Sequence, residues 1–209
     1  MKSKYIHIRL LLLFSIVGVI CGFKSNNEGF IDFYYYQDQP FKLTQQTDAL
    51  FIVLNENVTA SSFIKLVSAF PEIKSSSDFN INDKKDFVPL KREMTNLEFS
   101  TLLERLNQRP EIKYASIAFS PDKGKTLIGV QNEILVQFKP HISESEISDY
   151  LKVNNLKILE QLKLEGGRSF KLQTALSDYP IAKANTVYES GMVNWSEPNL
   201  FFTNLTAYM

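Results

Sequence analysis

The sequence predicts an α+β fold in which an antiparallel sheet is backed by helices on one face, with that unit present twice in tandem. Three observations predict it. The chain repeats itself: Asp48-Ala-Leu-Phe-Ile-Val-Leu54 and the apolar-periodic run to Phe70 match Asn132-Glu-Ile-Leu-Val-Gln-Phe138 and the run to Val153. Phe87 to Phe119 likewise aligns with Phe170 to Leu200, and the offset drifts from about 85 to about 81 residues, as loop insertions between two related units would leave it. Second, period-2 strand patterns alternate with period-3.6 helix patterns. Third, Thr95-Asn-Leu-Glu98 and Ser143-Glu-Ser-Glu146 are capping boxes, where a hydroxyl and a carboxylate satisfy the first free amides of a helix.

Residues 1–22 read as a secretory signal peptide. Lys2, Lys4 and Arg9 form its basic start, Leu10 to Ile20 its apolar run, and Gly18 and Gly22 supply small residues near the end. Residues 23–46 comprise a polar linker and a β-hairpin, Phe30–Tyr36 and Phe41–Thr44 around Gln37-Asp-Gln-Pro40. Pro stands at the turn, and the aromatic run is expected to pack on the first unit.

Residues 47–121 form the first unit. Leu50–Leu54 is its first strand and Ala60–Phe70 its first helix; Phe79–Ile81 and Phe87–Leu90 flank the turn Asn82-Asp-Lys-Lys85. The helix opened by Thr95 carries Leu102, Leu103 and Leu106, and Tyr114–Phe119 closes the unit. Pro121-Asp-Lys-Gly124 is the turn between units.

Residues 128–202 form the second unit. Ile134, Val136 and Phe138 alternate as a half-buried strand, and Ile147, Tyr150 and Leu151 fall at helical spacing after Ser143. Ile158, Leu162 and Leu164 are placed on one face of a second strand. Glu165-Gly166-Gly167-Arg168 turns into a third strand through Phe170 and Leu172. Ser177 is expected to cap a helix carrying Ile181, Ala184 and Tyr188, which Gly191 ends, and Val193–Glu197 is the last strand before Pro198. The order β-α-β-β-α-β predicts two tandem ferredoxin-like units. Residues 203–209 are a C-terminal tail.

Loss of the signal removes the sole cysteine, and with it disulfide and thiol chemistry. Without Lys2, Lys4 and Arg9, 20 basic side chains face 23 acidic ones, a net charge of about −3 with no basic patch, so nucleic acid is not expected as a partner. A membrane enters only if the signal stays uncleaved or Cys21 carries a lipid. The protein is otherwise expected to be secreted or periplasmic.

Catalytic chemistry has little to work with. His7 leaves with the signal, and His141 stands alone in a Pro-His loop, too few ligands for a zinc site of the common type. Glu144 and Glu146 are explained by the helix start they occupy, and Gly166-Gly167 by a hairpin turn. The loops Asn55–Thr59 and Lys139–Ser143 lack the arginine an acylphosphatase-type site would need. Sequons at Asn57, Asn194 and Asn204 matter only in a source that glycosylates secreted proteins. No catalytic residue, cofactor, metal or small-molecule substrate is expected, and the chain is not expected to be an enzyme.

Asn132–Pro140 with the helix from Ser143, and Ala182–Asn199, especially its segments Ala184–Val193 and Ser196-Glu-Pro-Asn199, resemble the N-terminal propeptides of secreted bacterial subtilisin-like serine proteases. The resemblance covers about residues 128–202 directly and 45–120 through the internal repeat. It implies an intramolecular chaperone and inhibitor whose sheet packs on the protease and whose tail, here Leu205, Thr206, Ala207, Tyr208 and Met209, lies in the substrate cleft. The partner it implies is a subtilisin-like serine protease. The family's catalytic domain should follow, and the sequence stops at Met209. A stand-alone inhibitor, a propeptide with a separately encoded protease and a truncated precursor all fit, as does a surface interaction module without a protease partner.

Overall fold

The computed structural model describes residues 31–74, 83–122, 126–176 and 178–202. The strands join into one curled, mostly antiparallel eight-stranded sheet accompanied by four helices, which corrects the expectation of two tandem ferredoxin-like units. In chain order these are β1 (Ile31–Tyr36), β2 (Gln39–Leu54), α1 (Ala60–Ser68), β3 (Lys85–Pro89), α2 (Asn96–Asn107) and β4 (Ile112–Ser120). They continue with β5 (Ile128–Phe138), α3 (Glu144–Val153), β6 (Lys157–Leu162), β7 (Arg168–Gln173), α4 (Pro180–Glu189) and β8 (Val193–Phe202).

Two long strands overturn the two-unit expectation. β2 runs for 16 residues as one strand, with β1 on its first half and β3 on its second, both on one side, and β4 on the other. The polar Gln45–Asp48 stretch, which lies between the expected strands Phe41–Thr44 and Leu50–Leu54, carries the strand through: Gln45 is buried and pairs with Phe119. β5 runs for 11 residues and pairs with β4, β7 and β8. The β4–β5 ladder, Ala118 opposite Gly129 and Phe119 opposite Ile128, welds the halves into a single sheet. Repetition of local elements does not dictate separate sheets; the backbone groups at a strand end pair with whatever strand lies nearest. Phe79–Ile81, read as a strand, lies outside the described residues.

Alternation along the strands sorts the cores. Leu50, Ile52 and Leu54 face Phe63, Leu66, Phe99 and Leu102 of α1 and α2. Ile134, Val136 and Phe138 face Ile147, Leu151, Ala184 and Val187 of α3 and α4. Between them Tyr34, Leu43, Phe119, Ile128, Val130 and Ile181 form a third cluster that belongs to both halves. On the other side of β2, the Phe51 ring stacks at 5.4 Å on Phe201 of β8, which lies 5.8 Å from Phe87 of β3. Such pairs contribute about 0.5–1.5 kcal/mol each beyond the area they bury.

The hairpin turns at Gln37 and Asp38, both with positive φ (49° and 60°), the geometry of a two-residue type I′ turn. Pro40 stands within β2 opposite Tyr35, not in the turn. The hairpin docks on α4, in the opposite half from the one expected. Tyr35 stacks on Tyr188 at 4.4 Å, Asn185 Nδ2 donates to the Phe33 carbonyl at 2.8 Å, and Tyr188 Oη donates to Asp38 at 2.7 Å. Tyr179 stands at the N-cap of α4, with Pro180 in the first turn and no side-chain cap bond, while Ser177 lies outside the described residues.

In β6 a register shift between Ile158 and Glu160 leaves Leu159 as an extra residue. A bulge moves the rest of a strand to the opposite face. Ile158 and Gln161 therefore both lie toward α3, and Leu162 does not share Ile158's face as the simple alternation had it.

Gly129 has no room for a side chain, because a Cβ there would overlap the Phe51 ring. Gly129→Ala should destabilise the fold by about 1–3 kcal/mol by overpacking. In urea unfolding, Gly129→Ala combined with Phe51→Leu should lose less than the two single changes summed; strict additivity would show that ring and glycine do not compete for one space.

Candidate functional site

The three stretches that carry the propeptide resemblance come together in the fold. Asn132–Pro140 follows β5 to its end, Ala184–Val193 ends α4 and begins β8, and Ser196 to Pro198 pair with Val136 to Ile134 of β5. Several of the polar residues in them have a local role. Asn132 is buried and donates through Nδ2 to the Thr174 carbonyl at 3.1 Å, while the Thr174 hydroxyl bonds its Oδ1. Asn199 Nδ2 donates to Glu133 at 2.7 Å, and Lys139 Nζ to the Gly191 carbonyl at 2.6 Å. Asn185, Tyr188 and Glu189 hold the N-terminal hairpin.

With Ile134, Val136 and Phe138 turned toward α3 and α4, the alternate residues of β5, β7 and β8 make up the opposite face. Leu135, Lys171, Trp195 and Glu197 stand there half-buried. At one end of this face Gln137 is buried and donates through Nε2 to the Glu165 carbonyl (2.8 Å) and Ser169 Oγ (3.0 Å). Asn194 Nδ2 donates to Gln137 Oε1 (2.9 Å) and the Gly166 carbonyl (3.0 Å). This network pins the Gly166-Gly167 turn, whose φ angles of 90° and 153° suit glycine. Gly167 also passes so close to the Phe138 carbonyl that a Cβ would overlap it. Across the strand, Lys171 Nζ meets Glu160 at 2.8 Å, and that hydrogen bond holds the lysine pKa up.

Burial pushes the Glu197 carboxyl above the usual carboxylate range. Burial first, then the charge of Glu197, pushes the Tyr34 phenol up to about 12.

A second surface lies between α3 and β6. A groove of about 620 Å³ is walled by Ile147, Leu151, Leu156, Ile158 and Phe170. Lys152, Lys157 and Arg168 line it with a single carboxylate, Glu144.

The Leu205–Met209 tail lies outside the described residues; β8 ends at Phe202, half-buried beside the third core cluster. His141 is exposed, next to the Ser143–Glu146 capping box in which Ser143 Oγ donates to Glu146 at 2.6 Å. That box, with His141 a lesser contributor, holds the Glu146 pKa below its ordinary value. Among the described residues no group of three His, Cys, Asp or Glu side chains is gathered to hold a metal ion, and no helix is long and apolar enough to cross a membrane. No protein-family profile matches the chain, and no characterised protein matches it in sequence. The open edge and groove at β6 went unread in the sequence, because Ile158 and Leu162 look like ordinary core residues there. The cations of Lys152, Lys157 and Arg168 are the signal that could have marked it.

Because the folded state binds the Glu197 proton more tightly than the unfolded chain does, stability falls as pH rises from the ordinary carboxylate range toward the raised value. Glu197→Gln should therefore raise the denaturant midpoint at about pH 7 and give no advantage at about pH 4. An equal midpoint for the two proteins at both pH values would contradict this account of the carboxyl.

Proposed function

We propose that the protein binds a subtilisin-like serine protease, inhibiting it or assisting its folding, and performs no catalysis of its own. The observation that carries this reading is the convergence of Asn132–Pro140, Ala184–Val193 and Ser196–Asn199 on β5, α4 and β8, beside a sheet face that no helix covers among the described residues. In the propeptides that these stretches resemble, the sheet packs on the catalytic domain. Leu135 and Trp195 give the corresponding face here an apolar contact area, and Trp is a residue type that anchors protein interfaces. An extended tail after β8 would add main-chain hydrogen bonds in the substrate cleft, with Leu205 to Met209 supplying side chains for its pockets.

A surface interaction module without a protease partner would have the aromatic hairpin as its natural adhesive surface. Tyr35 and the β1 main chain are engaged with α4, which leaves that reading less to stand on.

Residual peptide hydrolysis by a panel of subtilisin-like proteases tests the proposal. The protein at micromolar concentration should inhibit at least one of them, and a chain ending at Phe202 should inhibit about tenfold less well or worse, a loss of at least about 1.4 kcal/mol of binding. Trp195→Ala should weaken inhibition while leaving the urea midpoint close to that of the parent. Absence of inhibition across the panel would overturn the reading.

A further inference from the structure

We propose that the outer edge of β6 and the adjoining α3–β6 groove form a docking site for an extended segment of another protein in which acidic side chains alternate with apolar ones. The inference is independent of the protease reading.

The edges at β1, β3 and β6 are treated differently. β1 is covered by α4, which takes up the Phe33 carbonyl through Asn185. β3 is met at its end by residues 72–74, with Lys74 N donating to the Pro89 carbonyl and Lys91 N to the Glu72 carbonyl, both at 2.9 Å. Beyond its ladder to β7, the β6 main chain makes no hydrogen bond among the described residues. Such a row of free amides and carbonyls is a template for one more strand. Its side chains are correspondingly exposed, Ile158 by 47 %, Leu159 by 41 % and the following Leu164 by 52 %.

The groove supplies what a bare edge lacks, namely selectivity. Its apolar wall of Ile147, Leu151, Ile158 and Phe170 suits an aliphatic side chain of the incoming strand. Its rim carries Lys152, Lys157 and Arg168 against Glu144, a local excess of positive charge on a chain whose formal net charge is zero. Arg168 is held in place by its bond to the Ile142 carbonyl at 3.0 Å. Lysines along an edge are also the usual means of repelling a like-charged copy, so the complementary occupant is an acidic strand.

The test is fluorescence anisotropy with two short labelled peptides, one alternating valine with glutamate and one alternating valine with lysine. The glutamate peptide should bind saturably and the lysine peptide should not, and binding should weaken as salt rises. Exchange of both exposed lysines, Lys152→Glu with Lys157→Glu, should weaken it about tenfold or more, and Ile158→Ser should weaken it without altering the charge preference. Circular dichroism and thermal melting keep the variants interpretable, and if Ile158→Ser fails to fold, the exposed lysine pair decides alone. Equal binding of both peptides, binding of neither, or indifference to these substitutions would overturn the proposal. So would concentration-dependent self-association of the protein that the same substitutions abolish, which would assign the edge to a second copy.

Discussion

Everything in this fold depends on the short ladder where β4 meets β5. Ala118 and Phe119 face Gly129 and Ile128 across it, and without this pairing the sheet would fall into two pieces. The ladder is short, so main-chain bonding alone contributes little, and the side chains around it supply the rest. On one face Phe119 and Ile128 sit in a cluster that also takes Tyr34 and Leu43 from the N-terminal hairpin and Ile181 from α4. On the other, Phe51 lies over the bare backbone of Gly129 and against Phe201. Residues from β1 to β8 thus converge on one corner, and the absence of a side chain at Gly129 is what lets the two layers close.

Local features were legible in the sequence, and long-range ones were not. The Thr95–Glu98 and Ser143–Glu146 capping boxes open helices where the motif placed them, because a cap is decided within four residues. A third box, Thr59 with Ser62, escaped notice because serine takes the position usually filled by Glu or Gln. The strand through Ile134, Val136 and Phe138 was readable, but its start at Ile128 was not, since Ile128 pairs with strands that come from elsewhere. The sequence pattern showed Phe41–Thr44 and Leu50–Leu54 as separate strands; the partners that keep Gln45–Asp48 extended are distant, Phe119 opposite Gln45 and the Met94 and Leu90 amides on the Thr47 and Asp48 carbonyls. The bulge at Leu159 was likewise invisible, and with it the face that Leu162 takes.

The candidate surfaces follow the same division. The stretches that resemble protease propeptides could be picked out as separate motifs, whereas the face that they build required the pairing of β5 with β8. Several polar residues in and between them turn out to serve the fold itself: Asn185 and Tyr188 grip the hairpin, and Asn194 steadies the glycine turn through Gln137. Side chains of this kind link sequence to architecture first, and they bear on binding only through the shape that they maintain.

The hydrogen bonds from Tyr35, Asn185 and Tyr188 that fasten the hairpin to α4 span 150 to 154 positions of sequence. A hairpin closes in microseconds, yet its covering helix is delivered only some 150 residues later. Contacts so remote along the chain raise the contact order and slow the search for the native state. During synthesis the Tyr35 ring would stay bare until Tyr188, about 150 positions further along, had left the ribosome, so closure of this corner waits on a distant part of the chain.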